Sequence, residues 1–348
     1  MASDRYEYLK DIDNGAYGSV RLYFDKYLDR NVAVKKIDFT TTDKLRILEE
    51  VKLLKSVSSK HVVSIYDVLH SNDNIEIYQE YLSGDDLISK AGNCDLQEFL
   101  SLSYQLAFGL SDIHSSGVCH RDIKLENAKF DEQGVLKIFD FGVSREGDPH
   151  LTLCGHGTME YRAPEIYGLL VTPSVELTFS VDIFAFGVML HKLAFNEQCN
   201  FSGYVPKVKH SSPRFSELGL SNTLTQLLER TLEKQPNNRP AARELVEQLG
   251  RELTRNKHIG RFVSSDSIYV VDHKTPTAIL RLSTGQSISV QYDGYDFRVQ
   301  NVNGNVLINN NKAKINDILH QACVLTFDTG KPERYFVSFS SSHPEIVL

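Results

Sequence analysis

The sequence predicts an α+β domain followed by a small all-β sandwich, on three observations. Apolar and polar residues alternate from Tyr6 to Lys36 around a glycine turn, which reads as three antiparallel strands. Helical patterns follow, notably Leu96 to Ser115 and the apolar stretch Val181 to Phe195, and they end near Arg251. Beyond that point the texture changes to short β-branched and aromatic runs. The boundary is placed at 255/256, giving domains of 1–255 and 256–348. A chain of 348 residues is long enough for about two domains of roughly 150 residues each.

Composition narrows the function classes. At 41% hydrophobic and 24% charged residues, the chain has the make-up of a soluble protein. Its 38 basic and 45 acidic residues leave a formal net charge of -7, which argues against a general nucleic-acid binder. The five cysteines are scattered, odd in number and without the close pairs that bind zinc, so a reducing compartment is expected. The start, Met1 to Tyr8, has no apolar core of a signal peptide. Val181 to Phe195 is broken by Asp182, His191 and Lys192, as a buried helix is and a membrane span is not. A cytoplasmic protein is expected, or a nuclear one in a eukaryote, with no membrane contact.

Taken in order, the first hairpin turns at Gly15-Ala16-Tyr17-Gly18-Ser19-Val20 and leads to Val32-Ala33-Val34-Lys35. Thr42 to Val57 carries Leu45, Leu48, Val51 and Leu54 at helical spacing, with Glu49 and Glu50 among them. Ile75 to Gly84 reads as a strand running into a turn. The helix over Leu96 to Ser115 then leads into Cys119-His120-Arg121-Asp122-Ile123-Lys124-Leu125-Glu126-Asn127, and Phe139-Asp140-Phe141-Gly142 follows a hairpin's length later. Carboxylates, a lysine and an asparagine on two short loops are equipment for holding a divalent metal beside a hydroxyl.

These segments, with Ala163-Pro164-Glu165 after them, resemble in order the motifs of eukaryotic-type protein kinases. The resemblance implies a two-lobed α+β protein kinase fold, ATP and Mg2+ as cosubstrate and metal, and protein substrates. Gly15, Gly18, Val20 and Ala33 would face the nucleotide, with Gln79 as gatekeeper and the backbones of Glu80 and Leu82 at the adenine edge. Lys35 would reach the phosphates and pair with Glu50. Asp122 would orient the acceptor hydroxyl, and Asn127 and Asp140 would hold magnesium. Lys124 would neutralise the transferring phosphate, with Thr158 bonded to both Asp122 and Lys124, as in serine/threonine kinases. Thr152 and Ser144 are the activation-loop phosphosite candidates, and Arg121 is placed to pair with such a phosphate. Asp182 would accept catalytic-loop amides, and Arg239 would pair with Glu165.

Two residues depart from the pattern. Asp13 stands where the family has its first glycine. Lys129 takes the place of an apolar residue beneath adenine; either its stem covers the base while the amine reaches water, or it points away.

The C-terminal runs, with Asp293-Gly294 and Asn303-Gly304 as hairpin turns, read as a β-sandwich. The order of Ile259-Gly260-Arg261, Asn303-Gly304, Val306-Leu307-Ile308-Asn309 and Ala322 to Phe327 resembles a forkhead-associated (FHA) domain. That resemblance implies phosphothreonine-peptide binding, by Arg261 and Asn303 with Lys274 or Thr275, and the ligand would be a partner or the chain's own phosphorylated loop. Lys274-Thr275-Pro276-Thr277-Ala278 replaces the family's Ser-Arg-x-His-Ala, so an FHA-like fold without that activity, and an unrelated sandwich, stay open. Three functions compete: a serine/threonine kinase that autophosphorylates, a pseudokinase scaffold acting through its β domain, and a dual-specificity kinase using Tyr17 or Tyr161.

Overall fold

The computed structural model describes residues 4–15, 18–38, 51–52, 55–71, 74–140, 159–168, 178–197, 214–330, 334–342 and 344–346. The chain divides into two compact units, 1–249 and 250–347.

The first unit opens with five strands: β1 (Tyr6–Gly15), β2 (Gly18–Asp25), β3 (Arg30–Asp38), β4 (Ile65–His70) and β5 (Asn74–Glu80). They pair in the order β1-β2-β3-β5-β4, antiparallel throughout. Side chains alternate between faces along a strand. One face therefore collects Val32, Val34 and Tyr78 with Tyr6, Tyr23 and Tyr66 into an apolar cluster. The other face carries Val20 opposite Lys35 and Ala33 opposite Gln79.

Helix α1 (Leu96–Ser115) starts at Asp95, whose side chain accepts the Glu98 N–H at 2.8 Å, a standard N-cap. It buries Phe99, Leu102, Leu106, Leu110 and Ile113 at helical spacing. A short hairpin, β6 (Ala128–Phe130) with β7 (Leu136–Ile138), follows the catalytic-type loop. The helices α2 (Pro164–Gly168), α3 (Ser180–Phe195), α4 (Asn222–Thr231) and α5 (Ala242–Leu253) complete the unit. Helix α3 is buried nearly all round, including Asp182 and His191, as a mostly apolar stretch interrupted by a few polar residues predicts for a buried helix. Among the described residues no helix is long and apolar enough to cross a membrane.

The second unit is all β after its first residues. Strands β8 (Gly260–Val263), β9 (Ile268–Val271), β10 (Thr277–Arg281), β11 (Ser287–Tyr292), β12 (Phe297–Asn303), β13 (Val306–Ile308), β14 (Asn311–Lys312), β15 (Ala322–Asp328) and β16 (Arg334–Ser341) form two sheets. One has the order β10-β11-β12, the other β14-β13-β15-β16-β8-β9. Alternate residues of both meet in one core that includes Val290, Val299, Phe262, Leu325, Phe327 and Phe339.

Two expectations shift. Asp293-Gly294 does turn a hairpin, β11 into β12, with Gly294 at φ 99°. Asn303-Gly304, in contrast, carries the chain from one sheet to the other, since β12 and β13 lie in different sheets. Residues 250–255 also sit with the β unit, six residues before the boundary read from periodicity. There Arg251 bonds Asp296 at 3.2 Å, Glu252 accepts the Tyr295 hydroxyl at 2.9 Å, and the Asn256 N–H donates to the Gly294 carbonyl at 2.8 Å.

Candidate active site

The register of β1, β2 and β3 builds the upper wall. Gly15 pairs with Gly18 across the turn, and Asp13 pairs with Val20 while remaining exposed. Ala33 is buried, and Lys35 projects two residues further along the same face. The Lys35 ammonium bonds the Asp140 carboxylate directly. Glu50, its expected partner, lies outside the described residues, as do Thr158, Thr152, Ser144 and Tyr17.

Beyond Gln79, the Glu80 N–H donates to the Ser64 carbonyl at 2.9 Å. The Glu80 side chain accepts from Lys137 at 2.7 and 3.0 Å, tying the end of β5 to β7. Leu82 is buried, and Gly84 follows. A side chain at Gly84 would meet the Phe130 carbonyl oxygen at 2.7 Å, so only glycine lets this turn lie on β6, where its N–H bonds the same carbonyl at 3.0 Å. The Lys129 ammonium sits 3.3 Å from Asp86, a half-exposed residue the sequence did not single out.

The lower loop is held by a buried carboxylate. Asp182 on α3 accepts the N–H groups of His120 and Arg121, each at 2.7 Å, and contacts the His114 ring at 3.0 Å. Burial alone would push the Asp182 carboxyl up, but the His114 and backbone hydrogen bonds overcome this and hold it below the ordinary value. Arg121 and Asp140 both have positive φ, 67° and 59°, a conformation that side chains other than glycine rarely adopt. Two such residues at the two functional loops are strain stored where the chemistry would be. The buried His120 ring accepts the Asp122 N–H at one nitrogen, 3.3 Å, and donates to the Phe139 carbonyl at the other, 3.2 Å. Burial keeps it neutral by lowering its pKa.

Around Asp122 the polar groups converge. Its carboxylate receives the Lys124 ammonium at 3.0 Å and the Asn127 amide at 2.7 Å, and the same amide donates to the Asp122 carbonyl at 2.8 Å. With both amide protons used, the Asn127 side-chain oxygen remains to face a cation. The Phe139 N–H donates to the Asn127 carbonyl at 2.9 Å and so joins this loop to the strand end bearing Asp140. The oxygen donors of Asn127 and Asp140 fit a magnesium ion, which prefers hard oxygen ligands.

Deeper support comes from Arg239, whose guanidinium is fully buried and forks onto Glu165 at 2.6 and 2.8 Å. Tyr161 is buried, with its hydroxyl 3.5 Å from Glu126, which disfavours it as a phosphorylation site without local opening.

The four residues singled out in the β unit do not come together. Arg261 pairs with Ser340 and Val270 on β8, at the end of the unit where Gly260 lies against the Phe297 ring. Lys274 and Thr275 lie near that end, because the Tyr292 N–H donates to the Pro276 carbonyl. Asn303 is at the other end of β12, about 20 Å away at ~3.4 Å per residue, and donates to the Gly285 carbonyl. Asp272 also takes the donors a phosphate would need. Its carboxylate accepts the Lys274 and Thr275 N–H groups at 2.8 Å and the Thr275 hydroxyl at 3.0 Å, and these bonds lower its pKa.

Comparison with known proteins gives one family model, described as "Protein kinase domain", matching residues 6–249. Similar curated proteins include CBL-interacting serine/threonine-protein kinase 8 of Arabidopsis thaliana, 30% identical over 237 residues, covering 65% of this chain and 53% of the relative. Mitogen-activated protein kinase 12 of Danio rerio is 31% identical over 201 residues, 55% of this chain and 54% of the relative. CBL-interacting serine/threonine-protein kinase 12 of Arabidopsis thaliana is 29% identical over 279 residues, 76% and 56% respectively. The chain thus spans about half the length of these relatives.

Proposed function

The chain belongs to the protein kinase domain family, and from that premise we propose that it transfers the γ-phosphate of ATP to serine or threonine hydroxyls of other proteins. One observation carries the reading. The Phe139–Asn127 backbone bond holds the loop of Asp122, Lys124 and Asn127 beside Asp140, which in turn bonds Lys35. Lys35, Asp122, Lys124, Asn127 and Asp140, types of group that phosphoryl transfer uses, are thereby linked to one another.

The nucleotide would lie under Gly15, Gly18, Val20 and Ala33, with adenine at Gln79, the Glu80 carbonyl and Leu82, and with Lys35 on the phosphates. Magnesium, held by Asn127 and Asp140, would supply positive charge to the phosphate oxygens. Asp122 would orient the acceptor hydroxyl and take its proton as the oxygen–phosphorus bond forms and the bond to ADP breaks. Lys124 would neutralise the moving phosphoryl group, with Thr158 steadying both side chains and Glu50 steadying Lys35. Autophosphorylation at Thr152 or Ser144, paired with Arg121, belongs to the same proposal.

For the β unit we propose an FHA-like, protein-docking role. Two sheets facing one core support the sandwich reading. The separation of Asn303 from Arg261, and the Asp272 carboxylate on the Lys274–Thr275 turn, argue for docking that does not use phosphothreonine.

A scaffold reading is favoured by Asp13, exposed opposite Val20, and by the Lys129–Asp86 pair. Calorimetric titration with magnesium-ATP separates the two readings. Saturable binding that weakens in Asp140→Ala is expected, and no binding in either protein would favour the scaffold.

A further inference from the structure

The six-stranded sheet of the second unit ends in two unlike edges, β14 on one side and β9 on the other. An open edge pairs readily with another strand, and proteins block it with very short strands, lysine or proline. Strand β14 has such protection, being only Asn311 and Lys312. In the three-stranded sheet, edge strand β10 follows Pro276 and ends at Arg281. Strand β9 has no such device: Ile268-Tyr269-Val270-Val271 carries no charge and no proline. Its first three side chains are 66%, 46% and 46% exposed. The backbone is open as well. Where β8 turns into β9, the Ser264 N–H donates to the Ser267 carbonyl at 2.9 Å. Bonded and non-bonded pairs alternate along an antiparallel ladder, so Phe262–Tyr269 and Gly260–Val271 exchange the bonds of this hairpin, while Val263–Ile268 and Arg261–Val270 do not. The N–H and C=O groups of Ile268 and Val270 therefore point away from β8, and none has a partner among the described residues.

We infer that β9 is a self-association edge, at which a second copy of this chain pairs antiparallel about a two-fold axis and joins two six-stranded sheets into one. Charge selects this occupant. The turn before β9 holds exposed Asp266, and the turn after it holds exposed His273 and Lys274. Antiparallel pairing of identical strands sets the first turn of each copy against the second turn of the other, so Asp266 meets the histidine and the lysine at both ends. The Asp272 carboxylate, which would oppose Asp266, is already engaged by the Lys274 and Thr275 N–H groups at 2.8 Å. Arg261, the charge on β8 beside Val270, would lie three strand spacings, about 14 Å, from its copy, beyond the Debye length of about 8 Å at physiological salt. An interface of this kind uses the same patch on both chains and closes at two. This rests on the protein-docking reading of the β unit, to which it gives a partner.

The test is sedimentation equilibrium of the full chain from about 1 to 100 µM, the range suited to a small, weak interface. A reversible monomer–dimer equilibrium is expected. Val270→Pro removes an outward N–H without breaking a bond to β8, as proline at an edge allows. It should raise the dissociation constant about tenfold, the scale of one or two lost backbone bonds. Ile268→Lys should do the same, whereas Ile279→Lys on β10 should leave association unchanged. Asp266→Lys should weaken the dimer, most at low salt, and Lys274→Asp added to it should restore the wild-type constant, because the two charges then exchange sides. A dimer whose constant is unchanged in both Val270→Pro and Ile268→Lys overturns the proposal. Should Val270→Pro fail to fold, as circular dichroism would show, Ile268→Lys and the charge exchange decide: no loss in the first, or no recovery in the second, overturns it. A wild type that stays monomeric throughout the range also overturns it, while leaving the β unit's docking of other proteins standing.

Discussion

Asp122 has its carboxylate gripped by Lys124 and by Asn127, so its position depends on neighbours five residues apart or fewer. Asp122→Asn keeps the shape and removes the base. We expect kcat to fall roughly 10²–10⁴-fold with little change in the KM for ATP, as read by steady-state kinetics. At the phosphate turn, Asp13→Gly removes a like charge opposite Val20. Magnesium-ATP should then bind more tightly by about 1 kcal/mol, the scale of one charge pair in water at 4 Å, as calorimetry would measure. That Lys35, Asp122, Lys124, Asn127 and Asp140 form one bonded group was legible from motifs in the sequence, and the Lys35–Asp140, Lys124–Asp122 and Asn127–Asp122 contacts agree with that grouping. Asp86 was not legible, because its partner is brought in through space: Lys129 lies 43 residues on. No periodicity or motif announces such pairs.

Helix α3 shows what the elements contribute. It presents Asp182 to the catalytic loop, and Arg239 donates to its Ser180 carbonyl at 2.8 Å while forking onto Glu165. Arg239→Ala leaves the Glu165 carboxylate partly buried without its cation. A loss of roughly 3–5 kcal/mol in unfolding free energy is expected from denaturant titration. Gly187 is where α3 meets α4, and a methyl group there would stand 2.1 Å from the Thr231 hydroxyl oxygen. Gly187→Ala should therefore destabilise by about 1–3 kcal/mol despite alanine's better helix propensity, as a thermal melt would show. Strand existence in the second unit was readable from β-branched runs such as those in Ile268–Val271, Ser287–Tyr292 and Val306–Ile308. Strand β14, with only Asn311 and Lys312, has no apolar alternation to see. The role of Asn303-Gly304 was also hidden, because the dipeptide specifies a tight turn and not which sheet receives the chain.

Across the molecule, pH acts on the first unit through three buried histidines. His61, His120 and His191 all have pKa values lowered by burial. In the unfolded chain each takes up a proton near pH 6.5, whereas in the fold it stays neutral to lower pH. Their contribution is complete above that pH and is lost as pH falls through the folded values, at about 1.4 kcal/mol per pH unit for each group. Urea unfolding followed by circular dichroism at 222 nm, which reports the helices of the first unit, should show the midpoint falling between pH 7.5 and 5.5. A flat midpoint would mean the histidines are not held neutral. The division of labour between the units rests on the first being a working enzyme. Transfer of labelled γ-phosphate from magnesium-ATP to a serine/threonine protein substrate, by the wild-type chain beside Asp140→Ala, tests this most directly. The account predicts incorporation on serine or threonine in the wild type and at most a trace in the variant. Equal incorporation in both, or none in a wild type that binds magnesium-ATP, would contradict it.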